Sequence, residues 1–137
     1  MAKEFSFCRK EKLKSRKLVE ELFARGKSLN AFPVRISYQF LPLMPGEESL
    51  LQVGVSVSKR HFKKAVHRNR IKRLLREAYR LQKKELVELL KQKALKGCAF
   101  FIYTDKSLPA YTAVAEAVNK GLLLLMKKAA QTNEDAA

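Results

Sequence analysis

Acidic residues are the scarce commodity of this chain: 13 Asp and Glu stand against 29 Lys and Arg, a formal charge of +16 at pH 7. Those acids are scattered, among them Glu20, Glu21, Glu47, Glu48, Glu77, Glu85, Glu88, Asp105 and Glu116. A metal-dependent nuclease needs several acids converging on one site, and nothing in this spacing supplies them. Paired-carboxylate signatures, Gly-rich phosphate loops and Cys/His metal spacings are also absent. His61 and His67 lie inside a basic segment, far in sequence from any Ser, Cys or carboxylate partner. His67 serves either as a ligand contact or as a spacer rather than as a general base. The pattern supports binding and gives no support for self-contained catalysis.

Cysteine is limited to Cys8 and Cys98, which form neither a disulfide framework nor a ligand pair. A reducing cytoplasm is therefore the expected compartment. Long apolar runs are missing too. The longest, CAFFIY (Cys98–Tyr103) and LLLLM (Leu122–Met126), fall well short of the roughly 18–20 residues that span a bilayer. The opening MAKEFSFCRKEK is charged and has no apolar core of the secretory type. There is no internal repeat and no long Gly/Ser linker.

What is present suffices for one domain of ordinary core size, since hydrophobic residues make up 47% of the chain. That domain is expected over residues 1–130, with 131–137 (QTNEDAA) as a frayed tail. KLKSRKLVEELFARGKS predicts a helix, with Leu18, Val19, Leu22 and Phe23 at helical spacing, Ser15 as N-cap and Gly26 as stop. FPVRISYQFL alternates, placing Val34, Ile36, Tyr38 and Phe40 on one face and Arg35, Ser37 and Gln39 on the other. PLMPGEES is a turn. LLQVGVSVS alternates again, with Val53, Val55 and Val57 opposite Gln52, Gly54, Ser56 and Ser58. A further strand near Lys27–Asn30 carries only a weak signal. A helix begins near Ala65, its stripe of Ile71, Leu74, Leu75, Ala78 and Tyr79 continuing through Leu86, Leu89 and Leu90, with Gly97 as its end. CAFFIYT predicts a strand buried on both faces, parallel to the preceding one through a helical crossover. YTAVAEAVNKGLLLLMKKAA closes the domain as a helix. The order α-β-β-β-α-β-α implies an α+β sandwich, one sheet with helices packed on one face.

Between Ser56 and Arg80, ten Lys and Arg face a single acid, Glu77. Such a density of like charge repels itself and asks for a polyanion. With Ile71 at the centre of the buried side of a helical wheel, Lys72, Arg76, Asn69, Arg80 and Arg73 fan across the opposite flank, and Arg68 sits at its edge. Guanidinium forks match phosphate oxygens in pairs, and Asn69 can address a base edge or a 2′-hydroxyl. A generic solvated face mixes both signs, unlike this one. Membrane-surface and calmodulin-type helices keep an exposed apolar face, whereas the sheet is expected to use this one. The small-residue face with Gly54, Ser56 and Ser58 either admits an extended single strand of nucleic acid or is simply the solvent side of an ordinary sheet.

The block VGVSVSKRHFKKAVHRNRIKRLLREAYR closely resembles the signature of the protein subunits of bacterial ribonuclease P. Its centre is the triplet Arg68, Asn69 and Arg70, followed by IKRLLRE. LVEELFARGKS resembles that family's first helix and FPVRISY its next strand, so the likeness runs from Phe5 to Arg80; beyond Leu81 only the order of elements matches. Val19 stands where the family often has an aromatic residue, and the linker KRHFKKAVH lacks the Gly of some members. The resemblance implies a cytoplasmic, non-catalytic protein subunit of an endonuclease ribonucleoprotein, one protein per RNA and no membrane. It implies that the catalytic RNA carries the active site and the Mg²⁺ ions, with no cofactor on the protein itself. The complex removes the 5′ leader of precursor tRNA. The resemblance places Arg68, Asn69, Arg70, Lys72, Arg73 and Arg76 against the catalytic RNA. It places Phe23, Arg35, Ser37, Ser56, Ser58, Lys59 and Arg60 in a cleft for the single-stranded leader, with Phe23 equally compatible with the core. It also implies a left-handed β-α-β crossover, against the general preference. The competing reading is a ribosomal or other structural RNA-binding protein of similar fold.

Overall fold

The computed structural model describes residues 20, 22, 24–46 and 51–136, the last five as backbone only. Glu20, Leu22, Ala24 and Arg25 are helical, and the Gly26 N–H donates to the Leu22 carbonyl at 2.7 Å, where the sequence places the helix stop. Ser15, Leu18, Val19 and Phe23 lie outside the described residues, as do Glu47–Leu50 of the turn.

Four strands form one sheet: β1 (Lys27–Ala31), β2 (Val34–Pro42), β3 (Leu51–Val57) and β4 (Leu95–Tyr103). Their spatial order is β1-β2-β4-β3. β1 and β2 form an antiparallel hairpin through Phe32–Pro33, so the weakly signalled strand near Lys27 is real. β4 inserts between β2 (antiparallel) and β3 (parallel). Two helices, α1 (Ala65–Gln82) and α2 (Lys84–Gln92), make the crossover from β3 to β4, and α3 (Tyr111–Ala136) closes the described chain. α3 includes residues 131–136.

Register divides the sheet cleanly. One face carries Val34, Ile36, Tyr38 and Phe40 beside Tyr103, Phe101, Ala99 and Gly97, with Leu51, Val53, Val55 and Val57 across β4. This face joins Ile71, Leu75, Ala78 and Tyr79 of α1, Leu86 and Leu90 of α2, and Val114, Val118, Leu122 and Leu125 of α3 in one core. Tyr79 meets Phe101 edge-on, the ring centroids 5.8 Å apart. At Gly121 a Cβ would lie 2.4 Å from Ile36 Cδ1, so α3 approaches β2 at the distance of a bare backbone.

Two expectations are corrected. The long helical stripe is broken at the buried Lys83, and α2 stops at Gln92. Ala94, at φ 53°, takes the left-handed post-helical position that glycine usually fills. Gly97 lies inside β4, where a Cβ would sit 2.6 Å from Phe40 Cδ1 and 2.9 Å from the Gln39 carbonyl oxygen. β4 is not buried on both faces either: Leu95, Ala99, Phe101 and Tyr103 are buried, while Lys96, Cys98, Phe100 and Ile102 are half-buried on the side away from the core.

Candidate nucleic-acid interface

The strand order builds a surface that no single strand predicts. On the face away from the core, Asn30, Arg35, Ile102 and Ser56 form one cross-strand row. Ser28, Ser37, Phe100 and Gly54 form the next, and Gln39, Cys98 and Gln52 a third. Each row crosses the sheet, and at about 4.8 Å per strand spacing the first spans roughly 14 Å. Arg35 is exposed and Ser56 half-buried, so both present their side chains. Ser37 is only 6% exposed and offers little surface despite its place on this face. Phe100 and Ile102 were missed by the sequence reading. Their alternation inside CAFFIYT was the available signal, hidden because Phe101 and the neighbouring apolar residues suggested burial on both sides.

The same end of the sheet gathers the loops. Val57, Tyr103, Val34 and Ala31 lie in one register row, so the turn after β3, the exit of β4 and the β1–β2 turn emerge side by side. After Val57, the Ser58 hydroxyl accepts the Arg60 N–H at 3.1 Å, and the Phe62 N–H donates to the Ser58 carbonyl at 3.1 Å. That tight turn displays Lys59 and Arg60, both exposed, beside the row that contains Ser56. Phe62 is buried against Tyr103, ring centroids 6.0 Å apart, which fastens the linker to the sheet. The Tyr103 hydroxyl donates to the Ser107 carbonyl at 2.7 Å. Burial, and after it the Asp105 carboxylate, raise its pKa above the ordinary tyrosine value.

From this end α1 leaves with Lys64 as N-cap, no side-chain cap and no acid in its first turn. The positive end of the helix dipole therefore adds to the field of the lysines and arginines around it. Asn69, Arg70, Arg73 and Arg76 are exposed and Lys72 is half-buried, opposite the core stripe. Arg80 pairs with Glu77, so the segment's single acid answers its last arginine. Arg68 behaves differently from the rest of its group. Its Nη1 donates to the Phe62 and Lys63 carbonyls, each at 2.8 Å, and so holds the linker against the first turn of α1. Among the cleft residues, Arg35 and Ser56 share one cross-strand row with Ile102 between them, Ser58, Lys59 and Arg60 follow Ser56 past the end of β3, and Phe23 lies outside the described residues.

No group of three or more His, Cys, Asp or Glu side chains able to hold a metal occurs among the described residues. No described helix is long and apolar enough to cross a membrane.

Comparison with known proteins places the chain in a family. A family model described as Ribonuclease P matches residues 7–130. The ribonuclease P protein component of Porphyromonas gingivalis (strain ATCC BAA-308 / W83) is 34% identical over 122 residues, covering 87% of this chain and 85% of its own length. The protein of the same name from Chlorobium phaeobacteroides is 30% identical over 123 residues, 84% of each chain. The solved structure of Staphylococcus aureus RNase P protein shares the fold, with TM-score 0.58 at 18% identity over 85% of this chain and 95% of that one. On the family model and these relatives, the chain belongs to the ribonuclease P protein family.

Proposed function

We propose that this chain is the protein component of a ribonuclease P, taking part in removal of the 5′ leader from precursor tRNA. The observation that carries the finer reading is the placement of two basic surfaces around one end of the sheet. One is the exposed flank of α1, with Asn69, Arg70, Lys72, Arg73 and Arg76, which suits the phosphate backbone of a folded RNA. The other is the sheet face with Arg35, Ser56, Phe100 and Ile102, edged by Lys59 and Arg60. It offers small side chains, an aromatic ring and flanking cations, the combination that suits an extended single strand. In this reading α1 holds the catalytic RNA and the sheet face holds the leader. On this reading the active site and its Mg²⁺ ions belong to the RNA. The protein acts by positioning substrate and by neutralising phosphate charge.

The test is reconstitution. Purified protein mixed with a ribonuclease P RNA at low Mg²⁺ is expected to cleave precursor tRNA under conditions where RNA alone is slow. The protein alone is expected to give no cleavage. Turnover by RNA-free protein after purification controls, or no stimulation of the RNA, would overturn the assignment.

A further inference from the structure

A recess of about 400 Å³ lies at the edge of the sheet, lined by Ser28, Leu29, Asn30, Phe32, Arg35 and Thr104. It is formed where the β1–β2 turn meets the exit of β4. The Thr104 N–H and hydroxyl both donate to the Pro33 carbonyl, at 2.8 and 2.9 Å, and so tie the turn to β4. Phe32 is 67% exposed in that turn, between the buried Ala31 and Val34. An isolated exposed aromatic is common on protein surfaces and by itself says little. This one forms a wall of a recess whose other side chains are chosen for a different chemistry. Asn30 offers an amide donor and acceptor, Arg35 a guanidinium fork, and Ser28 and Thr104 hydroxyl oxygens. No acid lines it.

We infer that this recess is a nucleotide subsite, in which Phe32 stacks on one base of a single-stranded RNA, Asn30 addresses that base's edge and Arg35 pairs with an adjoining phosphate. A protein partner is a poorer fit, because the lining is cationic and polar apart from one ring and one leucine, and the chain carries +16. A free nucleotide is a poorer fit than a strand, because Arg35 belongs at once to the recess and to the row Asn30–Arg35–Ile102–Ser56. The subsite thus continues the sheet-face path beyond β2 to the outer strand. The inference rests on the leader reading above and extends it to nucleotides more distant from the Lys59–Arg60 edge.

The experiment uses the full chain assembled with its catalytic RNA and precursor tRNAs carrying 2-aminopurine at successive leader positions. In the parent protein, binding is expected to quench one position far from the cleavage site. Phe32→Tyr keeps that quenching. Phe32→Ala removes it and weakens binding of long-leader substrate roughly 5- to 150-fold, the range expected for loss of one base–aromatic stack. Substrates with leaders too short to reach the recess bind Phe32→Ala and parent protein alike. Asn30→Ala, at a second exposed position, gives a smaller loss confined to the same leader position. Ser56→Trp, which obstructs the middle of the path, reports on the leader reading separately. If Ser56→Trp weakens long-leader binding while Phe32→Ala and Asn30→Ala change neither quenching nor affinity, the subsite is refuted and the sheet-face reading stands. If all three variants are neutral, the leader reading fails and the subsite with it. If Phe32→Ala abolishes self-association in sedimentation without altering RNA binding, the turn is a protein contact and the proposal is overturned.

Discussion

Arg68 lies on the basic helix, yet one of its terminal nitrogens is turned inward to the Phe62 and Lys63 carbonyls. Charge-assisted hydrogen bonds of this type contribute about 1.5–3 kcal/mol where they are shielded, and less at an exposed edge. Arg73 is exposed and makes no comparable bond among the described residues. The two therefore separate in experiment. Arg68→Ala is expected to lower both stability, by about 1–2 kcal/mol, and affinity for the catalytic RNA. Arg73→Ala is expected to lower affinity alone, and to reduce the magnitude of the log K versus log[salt] slope by about one at most. Thermal melts and salt titrations of both variants check this, and equal melts for the two would remove the structural role of Arg68. Leu75, fully buried on the opposite side of the same helix, should behave in reverse. Leu75→Ala is expected to cost about 2–5 kcal/mol of stability.

Elements were legible where periodicity was strong and illegible where their meaning depends on neighbours. The alternation of β2 and β3, the amphipathic stripe of α1 and the polar character of the sheet's second face follow from local sequence. The insertion of β4 between β2 and β3 does not, because no residue within CAFFIYT specifies which strands flank it. That insertion is what brings Phe100 and Ile102 between Arg35 and Ser56, so half of the candidate leader surface was invisible in the sequence. The division at Lys83 was missed because the apolar stripe continues through it in phase. Gly97 was read as a helix stop from its type alone. The sheet shows a different requirement, since a Cβ there would meet the ring of Phe40 and a β2 carbonyl. Gly97→Ala is therefore expected to destabilise the fold by about 1–3 kcal/mol through overpacking. Denaturant unfolding measures it, and an unchanged or raised midpoint would mean that β2 and β4 can separate slightly at no cost.

Across the whole molecule, the core takes one face of the sheet, and the proposed function gives the other face, the linker and the outer flank of α1 to RNA. On that proposal the basic side chains serve two surfaces that share one end of the sheet but differ in what they read. The α1 flank offers forks and point charges for phosphates of a folded RNA, a contact governed by salt. The sheet face offers room, a ring and a guanidinium, a contact governed by whether a single strand is present. Such roles predict separable effects. Ser56→Trp should weaken binding of precursor tRNA with a leader several nucleotides long, and leave binding of mature tRNA and of the catalytic RNA nearly unchanged. Arg73→Ala should weaken assembly with the catalytic RNA and leave the ratio of affinities for leader-bearing and leaderless tRNA unchanged once the complex is formed. Because the two side chains lie on different surfaces with no shared partner among the described residues, the double variant should show the sum of the single effects within about 0.5 kcal/mol. Strong coupling between them would instead mean that one continuous RNA segment lies across both surfaces, and that leader and catalytic RNA are not held apart.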